Sequence, residues 1–154
     1  MMGLVQILSG SSVITVKAFQ SLLVQQITTE ERRMLEHKTG NLIISDYNRD
    51  TIIRMLNQQV ESDAIVDKDR MIRLICTLQD YLQTYMKNQP EGHRWIILAC
   101  LFLSGVVKEP MHPQEIVHWR QDPSGRNYYC PAYSAEEGST CRFCVCVPDA
   151  DCRD

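Results

Sequence analysis

Apolar positions recur at helical intervals through most of the first two thirds of the chain. Val16, Phe19, Leu22, Leu23 and Ile27 fall on one side of a helix spanning about Val13 to Ile27. Thr28-Thr29-Glu30-Glu31 has the form of a capping box and predicts a second helix start. Between Glu30 and Thr39 the only large apolar residues are Met34 and Leu35, which makes a thin buried face, and Gly40-Asn41 is the natural stop. Asp46 to Asn48 can cap the next helix, with Ile52, Ile53, Met55, Leu56 and Val60 on its inner side. The clearest stripe is Met71, Ile75, Leu78, Leu82 and Tyr85, widened by Ile72 and Cys76. Asn88-Gln89-Pro90 ends it. From Trp95 onward the segment Glu91–Val107 is apolar nearly all round, as expected of the central helix of a bundle, and Lys108-Glu109-Pro110 closes it.

The character changes after residue 108. Five of the six prolines lie at 110 or beyond. Asp122-Pro123-Ser124-Gly125 fits a type I turn between Ile116-Val117-His118-Trp119 and Tyr128-Tyr129, which predicts a short β-hairpin. Ser134 to Ser139 is a polar loop. Such a segment cannot bury enough apolar area to fold alone, so it needs the helices or an internal cross-link. The expectation is a mostly α protein: a bundle of about five helices over residues 1–108, with a small metal-binding hairpin and loop module over 109–154 packed against it.

Composition sharpens this picture in one place. Apolar residues make up 44% and charged residues 23% of the 154, an ordinary globular balance. Residues 1–108 carry twelve Lys/Arg and eleven Asp/Glu, whereas residues 109–154 carry four and eight. An acidic cysteine-rich end does not suit a nucleic-acid-binding zinc module, which needs positive charge against phosphates. The start of the chain has no basic flank and too short an apolar run for a secretory signal. The greasiest run, Trp95 to Leu103, reaches about fifteen residues with its flanks, short of the ~20 that cross a bilayer. The reading is therefore a cytoplasmic protein in a reducing compartment, with neither nucleic acid nor membrane as partner.

Five of the seven cysteines fall in the last twenty-five residues: Cys130, Cys141, Cys144, Cys146 and Cys152. Under reducing conditions, thiols at that density favour metal over disulfide. Cys141 and Cys144 have the two-residue separation with which one tight turn grips an ion. Tetrahedral zinc wants four ligands at about 2.0–2.3 Å, so a second arm must supply two more. Cys130 is one candidate. His112 is the other, in a segment stiffened by Pro110 and Pro113. Cys146 competes for the fourth place, although in an extended strand it would point the same way as Cys144 and crowd one side. His118 is a further choice, and Cys152 lies close to the end of the chain. An iron–sulfur cluster on Cys130, Cys141, Cys144 and Cys146 is the alternative cofactor.

Zinc with four protein ligands contributes folding energy and leaves no open position. With three, a bound water could react, and Glu115, Glu136 or Glu137 could act as base. No Gly-rich phosphate loop, Gly-x-Ser-x-Gly or His-Glu-x-x-His occurs, so no catalytic residues are assigned. The functional expectation is a structural zinc protein that binds another protein; a metal-dependent or thiol-redox enzyme is the rival. Cys76 and Cys100 read as buried packing residues, and His37 and His93 as helix-end residues.

Lys108-Glu109-Pro110-Met111-His112-Pro113, Tyr128-Tyr129-Cys130-Pro131 and Cys141-Arg142-Phe143-Cys144 together resemble the C-terminal signature of an uncharacterised archaeal family found mainly in methanogens. The resemblance implies that His112, Cys130, Cys141 and Cys144 act as a set. Cys146 and Cys152 lie outside the family's usual pattern. The family brings no substrate or partner.

Overall fold

In a computed structural model the described residues are 1–111, 117–123, 125–136 and 139–148, with the side chains of His118 and Asp122 excepted. Six α-helices are present: α1 (Met2–Gly10), α2 (Val16–Val24), α3 (Thr29–His37), α4 (Asp46–Asn57), α5 (Lys68–Tyr85) and α6 (His93–Phe102). Helix makes up 57% of the described structure, against roughly a third in an average globular domain, so the protein is mostly α.

Local chemistry sets four of the helix starts. The hydroxyls of Thr15, Thr28 and Ser45 accept hydrogen bonds from the backbone N–H of Ala18, Glu31 and Asn48, and the Asp67 carboxylate accepts from Arg70. At α3 the capping box is complete, because the Glu31 carboxylate also accepts the Thr28 N–H at 3.0 Å. The cap of α4 is Ser45, one residue before the segment expected to supply it.

The α5 stripe runs through Met71, Leu74, Ile75, Leu78 and Leu82. It is rotated toward Leu74 relative to the expected stripe, which leaves Cys76 exposed and Tyr85 71% exposed. Cys76 is therefore not a packing residue, whereas Cys100 on α6 is buried. Helix α6 packs against α4 and α5 and buries Trp95 and every residue from Ile97 to Phe102. Helix α1, which the polarity pattern did not announce, packs Leu4 and Leu8 into the same core beside α5. Val60 falls beyond the end of α4, and Gln20, 2% exposed, secures that end. Its amide donates to the carbonyls of Met55 and Gln58 and accepts the N–H of Val60.

The expected single helix over residues 91–107 is composite. A 3₁₀ turn (Pro90–Gly92) precedes α6, and a π-helical turn (Leu103–Val107) follows it. Gly105 in that π turn sits where a Cβ would come within 2.8 Å of both Met71 Sδ and Phe19 Cε2. Only a residue without a side chain lets α2 and α5 close on this turn. Lys108 then adopts a left-handed conformation (φ 56°) that turns the chain out of the bundle.

The C-terminal segment forms a three-stranded sheet in the order β1 (His118–Asp122), β2 (Gly125–Cys130), β3 (Val147–Pro148). The first two strands make the expected antiparallel hairpin, with Trp119 opposite Tyr128. The third pairs parallel to β2, with Tyr129 opposite Val147 and Cys130 opposite Pro148. No helix among the described residues is long and apolar enough to cross a membrane.

Candidate metal centre

Two stretches of backbone, the end of β2 and residues 141–146, bring cysteines near one another. Cys130 closes β2 and is buried. The parallel pairing of β3 with the end of β2 sets Cys146, also buried, beside it. Cys141 and Cys144 sit at either end of a 3₁₀ turn, in which the Cys144 N–H donates to the Cys141 carbonyl at 3.0 Å and Ser139 Oγ accepts the Cys141 N–H at 3.1 Å.

This turn is anchored in the bundle. The Phe143 ring, 3% exposed, belongs to the same apolar core as the helices. The hydroxyl of Ser104, buried in the π turn, donates to the Phe143 carbonyl, and Arg70 on α5 donates to the Arg142 carbonyl at 3.1 Å. The Arg142 guanidinium stands over the Phe143 ring at 4.8 Å. Ser104, within the π turn, thus holds the cysteine turn by its hydroxyl.

The strand of chain that leads toward His112 is also fixed. Arg54 makes a two-pronged ion pair with Glu109 at 3.1 and 3.0 Å, and the Tyr47 hydroxyl donates to the Pro110 carbonyl at 3.0 Å. Burial, with the Glu109 carboxylate nearby, holds the Tyr47 phenol above its ordinary pKa. Met111 is buried, and its N–H points at the Cys144 sulfur at 3.4 Å.

The thiols influence one another. Cys146 is hydrogen-bonded to Cys144 and lies within electrostatic reach of Cys130 and Cys141. That hydrogen bond first, then burial, then the neighbouring sulfurs push its pKa far upward, since one more negative charge in this cluster is unfavourable. All six cysteines among the described residues are free thiols.

Cys130, Cys141 and Cys144, three residues marked by the sequence pattern, each lie within electrostatic reach of Cys146. His112, the fourth, lies outside the described residues, as do Glu115, Glu137 and Cys152. The side chain of His118 is likewise not described, and Glu136 is exposed. Cys146 lies beside these residues, where the chain bends at Cys144 and Val145 and then runs along β2. No three His, Cys, Asp or Glu side chains among the described residues stand in an arrangement that would already hold a metal ion. The short β3 strand and the Ser104 anchor carried no signal in the spacing of residues.

Beside the cluster lies a cavity of about 940 Å³ between α5, the start of α4 and the C-terminal segment, with Cys130 and Cys141 in its wall.

The chain belongs to a family conserved in archaea. The family described as "Uncharacterized protein conserved in archaea (DUF2115)" matches residues 5–149. The match takes in the helical part as well as the C-terminal segment. Comparison with curated proteins and with solved structures found no match.

Proposed function

We propose that the protein is a non-catalytic zinc protein of the reducing cytoplasm, in which Cys130, Cys141, Cys144 and a fourth ligand clasp one ion. Two residues compete for the fourth place. Cys146, already hydrogen-bonded to Cys144, is favoured by the strand pairing; His112 is favoured by the resemblance and by the fixed approach through Met111. The observation that supports the reading is the mutual electrostatic influence of four cysteines from two stretches of chain, with a backbone N–H aimed at one of the sulfurs. Hydrogen bonds of this kind orient and support metal-bound thiolates. The sulfurs draw together on loading, and the ion replaces the mutual repulsion of thiolates with attraction. Closed zinc sites contribute apparent binding energies on the order of 10 kcal/mol, enough to tie a short sheet and its loops to a helical bundle.

The role that follows is protein interaction. β1 is an edge strand, Trp119 on it is 50% exposed, and the Arg126 guanidinium stacks on its ring at 3.9 Å. An edge strand with an exposed aromatic suits strand addition by a partner protein. An iron–sulfur cluster would use the same four cysteines and would announce itself by visible absorbance.

Elemental analysis of protein purified without a metal-affinity step tests the reading. One zinc per chain is expected, lost in Cys141→Ser and Cys144→Ser. Comparing His112→Ala with Cys146→Ser identifies the fourth ligand, since only the true one lowers zinc retention. Metal-free protein with unchanged stability would end the proposal.

A further inference from the structure

The 940 Å³ cavity shares Cys130 and Cys141 with the proposed metal centre, but the rest of its lining has a chemistry of its own. Its floor is apolar, with Leu78, Leu82 and Ile96 among its residues. Its rim is acidic: Asp80 on α5 and Glu136 in the C-terminal loop both line it, and no Lys or Arg is among the described lining residues. Neither carboxylate has an ion-pair partner among the described residues. Along the same face of α5, Tyr81 and Tyr85 also line the cavity. Their rings pack at 4.8 Å between centroids, yet they are 48% and 71% exposed.

Tyrosine left in water beside an acidic rim is a poor use of apolar surface unless something covers it. The faces of its ring attract cations, and so do the two carboxylates. An anion would meet two like charges and no basic residue among the described lining; a plain hydrocarbon would leave the carboxylates desolvated. The size is within the range of small-molecule sites.

We infer that this cavity binds an organic cation with an apolar body, an alkylammonium whose charged head lies between Asp80, Glu136 and the tyrosine pair and whose tail covers the floor. The site belongs to α5 and to the loop facing it. It is a binding site, and no reaction is assigned to it.

Calorimetric titration of the full chain with hexyltrimethylammonium, and with hexanoate as an anion of matched tail, tests the inference. The cation should bind saturably at one site, and hexanoate at least tenfold more weakly, about what one favourable charge contact contributes. Asp80→Asn and Tyr85→Ala, both exposed helix positions that should fold normally, should each weaken the cation by roughly fivefold. Raising the salt concentration should weaken it further. Equal binding of hexanoate, binding indifferent to both variants, or no saturation by about 10 mM would overturn the inference. Zinc content is measured on the same samples, so loss of the metal and loss of the cation site are read separately.

Discussion

The hydroxyl of Ser104 donates a hydrogen bond to the carbonyl of Phe143, joining the π turn after α6 to the turn that carries Cys141 and Cys144. Both groups are inside the protein, so neither has water to fall back on. The cysteine turn is thereby built onto the helical core, and its position depends on a helix irregularity about forty residues earlier in the chain.

Phe143→Ala should cost about 3–4 kcal/mol, because a ring buried in the shared core is removed and its site cannot fully collapse. Ser104→Ala should cost about 1–2 kcal/mol by leaving a buried carbonyl unpaired. Urea unfolding checks both. A Phe143→Ala variant as stable as wild type would mean that the cysteine turn is not docked on the bundle.

Glycine substitutions should have opposite signs at two helical sites. Gly105→Ala should destabilise by about 1–3 kcal/mol, since the new methyl meets Met71 and Phe19 at 2.8 Å. Gly3→Ala in α1 meets nothing within 4 Å and should stabilise by about 0.5–1 kcal/mol through helix propensity. Thermal unfolding separates the two.

The Glu31 carboxylate accepts charged hydrogen bonds from Arg94 and also closes the α3 cap. The Arg94 hydrogen bond first, opposed by burial and helped by Thr28, holds its pKa below the ordinary 4.5. A depressed carboxylate pKa means that its stabilisation is present above 4.5 and is lost as pH falls through the lower folded value. Wild type should therefore exceed Glu31→Gln by about 1–2 kcal/mol at pH 7, with the gap closing below pH 4.5. A gap that stays constant down to pH 3 would contradict the assignment.

The two cysteines on the helices should differ sharply in reactivity. Cys76 is exposed and should react with a disulfide reagent in the native protein. Cys100 is buried, and burial first, with the nearby Cys144, pushes its pKa up to about 12. It should react only on unfolding. Kinetic thiol titration at pH 8, with Cys76→Ser as the control, reads this directly.

Helix α5 was legible because five apolar residues recur at the helical period over fifteen positions, yet the same pattern misplaced its edges. Ile72 and Cys76 on one flank and Leu74 on the other are equally apolar, and only packing against α1 and α6 decides which flank is inward. Helix α1 escaped notice because its two inward residues, Leu4 and Leu8, stand among Gly3, Ser9 and Gly10, with Ile7 exposed. The α3 cap was legible from four residues, since capping is local chemistry. Of the cysteines, only the turn that carries Cys141 and Cys144 was legible. A two-residue separation is a local device, but the position of Cys146 depends on β3 pairing with β2 eighteen residues earlier, which no spacing records. The cavity was not legible at all, because the outer face of α5 forms it together with loops that have no period.

X-ray absorption at the zinc edge, on reduced protein purified without a metal-affinity step, tests the central claim most directly. The account predicts a first shell of three or four sulfurs at about 2.3 Å, the three-sulfur case completed by one nitrogen at about 2.0–2.1 Å. A shell of light atoms alone, or protein that takes up no zinc in any form, would contradict it.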